Sequence, residues 1–182
     1  MVKKTTVSYI LRLALTLLLI CTAVAAALAG VNYITEPIIR ASKEAKTQAA
    51  IEAVLPGGGE AVEYSDETGI VKAAYQSQSG YAIQVAPSGF NGQIDMMVGI
   101  DKDGNVLAIS IISQTETAGL GAVSAANTGA GEAFRGQFTG ATGSVSVNKD
   151  GGSIDAITGA TITSRAVCDG VNAALACVAG LG

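Results

Sequence analysis

Two patterns of hydrophobic and polar positions divide the chain. Between positions 13 and 31 no residue is charged, and Leu, Ala, Val and Ile dominate. About 20 apolar residues in a helix cross a ~30 Å hydrocarbon core. This run therefore predicts a spanning helix, placed at 9–33, with Tyr33 as an interfacial aromatic. From position 63 the pattern becomes period two in short runs, which predicts strands at 69–76, 80–85, 94–100 and 106–112. Asp101-Lys102-Asp103-Gly104 joins the last two, and Asp-Gly between apolar runs marks a hairpin. No helical pattern separates these strands, so the predicted sheet is antiparallel. Helical spacing returns at 131–138, where Phe134 and Phe138 are four apart, and at 165–178, the last helix. Alternation at 144–148 predicts one more strand.

The span and the sheet are joined by a segment of different character. Glu36-Pro37 resembles a helix start, with Pro at the first helical position. Residues 38–54 are rich in Ala, Lys, Glu and Gln, all good helix formers. Leu55-Pro56-Gly57-Gly58-Gly59 ends that pattern. The expected organisation is a cytoplasmic N-terminus (1–8), a transmembrane helix (9–33), a stalk helix and linker (34–62) and one α+β domain (63–182). Lys3, Lys4 and Arg12 precede the span, and the positive-inside rule puts that end in the cytoplasm and the domain outside. A cleaved signal peptide is the competing reading, because Ala27-Leu28-Ala29 has the small-residue pattern of a cleavage site.

Composition removes several chemistries. The 182 residues include no histidine, so Ser–His–Asp and Cys–His catalysis are excluded, as is the commonest metal and haem ligand. The formal net charge of −4 argues against a nucleic-acid partner. Mean hydropathy is +0.43, and part of that excess lies in the first 31 residues. Cys168 and Cys177 stand nine positions apart on one predicted helix, roughly 13 Å along its axis, beyond the reach of a disulfide. They read as free buried thiols.

The richest stretch is Asp155-Ala156-Ile157-Thr158-Gly159-Ala160-Thr161-Ile162-Thr163-Ser164, where strand pattern gives way to the last helix. Thr161, Thr163 and Ser164 crowd the helix start, and Gly159 and Ala160 leave its backbone almost bare. A helix start offers free N–H groups and a positive dipole end, which suits a phosphate. The same hydroxyls also suit an ordinary N-cap, and the residues alone leave both readings open. A second stretch, Ser113-Gln114-Thr115-Glu116-Thr117-Ala118-Gly119-Leu120-Gly121, reads as a loop able to press its backbone against a flat ligand.

Together these residues resemble a known family. D-x-x-T-G-A-T-x-T-S resembles the flavinylation motif of the FMN-binding domain shared by the G subunit of the Rnf complex and the C subunit of the sodium-pumping NADH:quinone reductase. Gly80-Tyr81, Met97-Val98-Gly99-Ile100-Asp101 and the E-T-x-G-L-G loop at 116–121 occur in the family's order. Ala118 stands where the family has Pro, and Gln114 where a His is common. The resemblance implies an antiparallel-sheet FMN-binding domain with flanking helices, and FMN carried on Thr161 through a phosphoester. It implies that Thr158, Gly159, Ala160, Thr163, Ser164, Glu116, Thr117, Gly119, Leu120 and Lys149 lie about the cofactor. Within that set, Thr158 is expected to pack on the sheet, and Thr163 and Ser164 to cap the helix. The short chain with one span resembles the G subunit more than the C subunit. The implied role is an electron relay in an ion-translocating ferredoxin:NAD oxidoreductase in the cell membrane. The implied partners are its other membrane and peripheral subunits, and a flavin transferase that uses FAD and a divalent metal. The alternatives are a free-standing flavoprotein reductase outside the membrane, the C subunit of a Na+-translocating NADH:quinone reductase, and a membrane-anchored interaction domain without cofactor, in which Thr161 only caps the helix.

Overall fold

The computed structural model describes residues 2–66 and 68–181, with side chains from residue 7 onward. Lys3 and Lys4 fall outside those side chains, so of the three basic residues behind the orientation expectation only Arg12 is described. The chain divides into two compact units, 1–45 and 46–182.

The first unit is helical throughout its described residues. It is the greater part of α1 (Val2–Val54). Leu13, Leu17, Leu18, Ile20 and Leu28 of this helix are all more than half exposed. Apolar side chains left bare on every face fit lipid as the surrounding solvent. Among the described residues this is the one helix long and apolar enough to cross a membrane. A helix was expected to begin at Glu36-Pro37, but the structure runs straight through, with Pro37 inside α1. Pro37 deletes one ladder bond, at about 3 kcal/mol. Ending and restarting a helix would orphan four carbonyls and four amides. Arg40 and Glu36 pair across the site at 2.9 Å, and the Thr35 hydroxyl donates to the Val31 carbonyl at 2.9 Å.

The second unit is a sheet with a helix on each face. The strands β1 (Glu60–Val62), β2 (Val71–Gln76), β3 (Gly80–Val85), β4 (Asp95–Asp101) and β5 (Val106–Ser113) form an antiparallel meander in chain order. Ile83 pairs with Val98, and Val98 with Ile109. Odd and even positions of β4 serve different cores. Met96, Val98 and Ile100 join Ile83, Val85, Phe134 and Phe138 under α3 (Thr161–Leu181), with Val167, Val171 and Ala174. Met97 joins Ala82 and the end of α1, at Ala50, Ile51, Val54 and Leu55. A strand covered on both faces reads as a continuous apolar run, which is why 94–100 stands out in the sequence. The end of α1 lies so close to β4 that a Cβ on Gly99 would meet the Val54 carbonyl at 2.2 Å.

The predicted strand at 144–148 is absent. Asn172 of α3 takes both backbone groups of Val145, accepting its N–H at 2.8 Å and donating to its carbonyl at 2.9 Å. What remains is a single parallel bridge, Val147 to Ile154, followed by a 3-10 turn, Asn148–Asp150. The alternation is real, since Val145 and Val147 are buried, but it serves α3 rather than a sheet. The helix expected at 131–138 is α2 (Gly129–Gly136), begun by Thr128, whose hydroxyl accepts the Gly131 N–H. Phe134 and Phe138 meet edge to face, 5.5 Å apart.

Candidate functional site

The motif stretch becomes the entry to α3. Gly159 lies in the left-handed region at φ 77, which turns the chain into the helix. The first ladder bond runs from the Ser164 N–H to the Ala160 carbonyl at 3.0 Å. The amides of Thr161, Ile162 and Thr163 come before it and have no helical carbonyl to bond. These amides border a cavity of about 390 Å³ lined by residues of four segments. Phe90 comes from the loop after β3. Glu116, Thr117, Leu120 and Gly121 come from the loop after β5. Lys149 comes from the 3-10 turn, and Gly159, Ala160, Thr161, Ile162 and Thr163 from the helix entry.

Thr161 is half-buried and lines this cavity. The Lys149 ammonium donates to its hydroxyl oxygen at 3.1 Å. Phe90, Leu120 and Ile162 stand 68%, 42% and 49% exposed around it. Large apolar side chains left bare together beside polar groups mark a ligand or contact surface rather than a folding need.

One wall of the cavity is built on Glu116. It is buried, and its carboxylate takes two hydrogen bonds: the Asn91 N–H at 2.8 Å and the hydroxyl of Thr163. Asn91 also donates through its side chain to the Thr115 carbonyl at 2.7 Å, and the Thr115 hydroxyl returns a bond to the Asn91 carbonyl at 2.9 Å. The loops after β3 and β5 and the first turn of α3 are therefore tied at one carboxylate. Small residues make room for it. A Cβ on Gly89 would come within 2.5 Å of one Glu116 oxygen, and a Cβ on Gly121 within 2.6 Å of the other.

Several expectations change here. Thr163 does not cap the helix, because its hydroxyl is spent on Glu116. Ser164 does not accept from later amides. It donates to the Ala160 carbonyl and accepts the Ile157 N–H, both at 3.0 Å, and so pins the approach to the helix. Thr158 is exposed rather than packed on the sheet, since the left-handed turn at Gly159 swings it outward. With Gly119 it lines a different, shallower depression beside Asp155 and Phe134. Eight of the eleven candidates thus share the Thr161 cavity; Thr158, Gly119 and Ser164 do not line it. Phe90, Gly121 and Ile162 line it and were not singled out. An aromatic in a Gly-rich polar loop, Ser88-Gly89-Phe90-Asn91-Gly92, was the available signal for Phe90.

Each residue of the 3-10 turn is bound to the motif or to the helix that follows it. Asn148 donates to Asp155 at 2.8 Å, Lys149 to Thr161, and Arg165 of α3 donates twice to Asp150, at 2.6 and 2.7 Å. Those bonds from Arg165 hold the Asp150 carboxyl below its ordinary value, with the Lys149 charge adding to the effect. Burial pushes the Cys168 thiol up to about 12.

The family described as the FMN-binding domain matches residues 89–176, the stretch that supplies every lining residue of this cavity. Over nearly its whole length the chain is similar to particular proteins. It is 34% identical to the G subunit of the Na(+)-translocating ferredoxin:NAD(+) oxidoreductase complex of Acetobacterium woodii, covering 90% of this chain and 88% of that one. It is 36% identical to the G subunit of the proton-translocating ferredoxin:NAD(+) oxidoreductase complex of Clostridium ljungdahlii, covering 81% and 80%. The G subunit of an ion-translocating oxidoreductase complex of Methanosarcina acetivorans is 29% identical across 87% of this chain. The chain belongs to the family formed by the G subunits of these complexes.

Proposed function

We propose that this chain is an FMN-carrying electron-transfer subunit of an ion-translocating ferredoxin:NAD oxidoreductase complex. In this reading FMN is joined to Thr161 by a phosphoester. Its domain faces away from the cytoplasm on a single membrane helix, beside the other subunits of the complex. The observation that carries the reading is the set of chemically distinct surfaces at one cavity. Thr161, Lys149 and the free first-turn amides suit a phosphate. Phe90, Leu120 and Ile162 suit the apolar faces of a fused aromatic ring. The cavity volume is within the range of cofactor sites. When bound, the flavin supplies the redox chemistry.

The chain's own residues supply position. The Glu116–Thr163–Asn91 junction ties two cavity walls together. Gly159 brings the backbone of the helix entry up to Leu120: a Cβ there would meet Leu120 Cδ2 at 3.0 Å. The attached state needs a dedicated flavin transferase, with FAD as donor and a divalent metal. Covalent attachment keeps a relay loaded where lost cofactor cannot be recovered, and holds the ring near its partners without a binding equilibrium.

The test is co-expression of the full chain with a flavin transferase, followed by a denaturing gel viewed for flavin fluorescence. A fluorescent band for the wild type and none for Thr161→Ala supports the reading. A band surviving in Thr161→Ala overturns it. Co-purification with several other membrane subunits separates the complex-bound relay from a free-standing reductase.

A further inference from the structure

We infer that Lys149 prepares Thr161 for flavin transfer and afterwards neutralises the phosphodiester, and that the turn Asn148–Asp150 exists to hold it there. This rests on the assignment of Thr161 as the attachment point.

Among the described residues lining the cavity, Lys149 is the single cation. Glu116 is the single anion, and both of its oxygens are engaged inside the protein. The ammonium lies 3.1 Å from the one oxygen that would form the new bond. A free surface lysine loses much rotamer freedom in holding such a position, so the contact needs a well-placed backbone. The turn provides it. The bidentate Asp150–Arg165 pair ties the residue after Lys149 to α3, one turn along from Thr161. Asn148 ties the residue before it to Asp155, the first residue of the motif. Gly151 closes the turn at φ 88. Three successive residues thus each grip the motif or its helix, and the middle one brings the positive charge to Thr161.

The chemistry explains what the charge does. In the transfer, Thr161 Oγ bonds to the FMN-side phosphorus of FAD. The pyrophosphate P–O bond breaks, AMP leaves with the bridging oxygen, and the hydroxyl proton passes to a base on the transferase. An ammonium at Oγ stabilises the negative charge left on that oxygen as its proton departs, and so raises the share of the nucleophilic form. The product is a phosphodiester with one negative charge. Lys149 and the dipole of α3 then face that charge together. Lys149 also competes with water for the Thr161 oxygen before transfer, which fixes the hydroxyl's orientation.

The experiment uses the full chain in detergent, purified without flavin, with FAD, divalent metal and the transferase. Initial rates of covalent flavin incorporation are read by in-gel fluorescence at several acceptor concentrations and two salt concentrations. Lys149 is exposed, so its replacement disturbs no core contact, and a thermal melt verifies this. Lys149→Met is expected to lower the rate at saturating acceptor by roughly tenfold or more, with a flatter salt dependence than the wild type. Lys149→Arg is expected to restore most of the rate, and Asp150→Asn to fall between. Should Lys149→Met fail to fold, Asp150→Asn and Lys149→Arg decide the matter by the same readout. Flavin transfer to Lys149→Met at the wild-type rate overturns the role of Lys149 and leaves Thr161 standing. So does a Lys149→Arg variant as slow as Lys149→Met. A wild-type chain that takes no flavin, or flavin on Thr161→Ala, overturns the Thr161 assignment and this inference with it.

Discussion

Replacing Thr163 by Val tests how the cavity is held together. The change keeps the shape and removes one hydroxyl. If Thr163 were an N-cap, its loss would cost about 1 kcal/mol. The structure assigns it a different partner: it donates to the buried Glu116 carboxylate, whose other oxygen accepts from Asn91. Losing a hydrogen bond to a buried charged group costs roughly 1.5–3 kcal/mol. The backbone at Gly89 and Gly121 crowds both oxygens, which leaves little room for water to replace the hydroxyl. For a domain of this size the loss corresponds to a fall in Tm of about 5–10 °C. Circular dichroism melts of the full chain in detergent measure it, with Glu116→Gln and the double variant completing a cycle. The coupling between the two positions is expected to reach about 1 kcal/mol or more. Covalent flavin persists in Thr163→Val, because Thr161 is untouched. A Tm within about 1 °C of wild type, or additive effects of the two changes, would refute the Glu116–Thr163 junction as a support.

Three further outcomes follow from the same geometry. Iodoacetamide at about pH 8 is expected to leave Cys168 and Cys177 unmodified until the domain is unfolded. Burial, with Asp169 and Asp150 nearby, raises Cys168 to about 12, and burial, with Asp66 nearby, raises Cys177; peptide mass mapping of the native chain with either cysteine alkylated would contradict this. Acid is expected to destabilise the domain below about pH 4. Asp101 and Asp150 are held below their ordinary values by hydrogen bonds, Asp101 mainly from Asn105 and Asp150 from Arg165. Their contribution is whole above the unfolded value of 3.8 and is lost as pH falls through the lower folded value. A melting temperature that stays level through that window argues against it, and Asp150→Asn should flatten the curve. Protease added to intact spheroplasts is expected to degrade the domain; protection until the membrane is opened would reverse the proposed orientation.

How much was legible in the sequence depended on how local the cause was. The strand 80–85 was placed to the residue, and 106–112 to within one, because period-two patterning and an Asp-Gly turn are local signals. Residues 144–148 carry the same alternation, yet the partner that captures Val145 is Asn172, far along the chain. Pro37 reads locally as a start, but breaking the helix there would orphan more backbone groups than the one bond the proline removes. At the site, the turn into the last helix was legible at Gly159, which lies in the left-handed region, whereas the residues alone left Thr161 open between a cap and a phosphate site, and only the family resemblance chose between them. The partner of Thr163 was not, since nothing near it in sequence announces a buried carboxylate 47 positions earlier. Lys149 could be suspected from the family resemblance, but its contact with Thr161 depends on Asp150 meeting Arg165.

The central claim is that Thr161 carries the flavin. Intact mass followed by peptide mapping of the chain, co-expressed with a flavin transferase, tests it most directly. The expected result is one added FMN less one water, confined to the peptide that holds Thr161, and its disappearance in Thr161→Ala. An unmodified mass, or the same addition mapped to Thr158, Thr163 or Ser164, would contradict it.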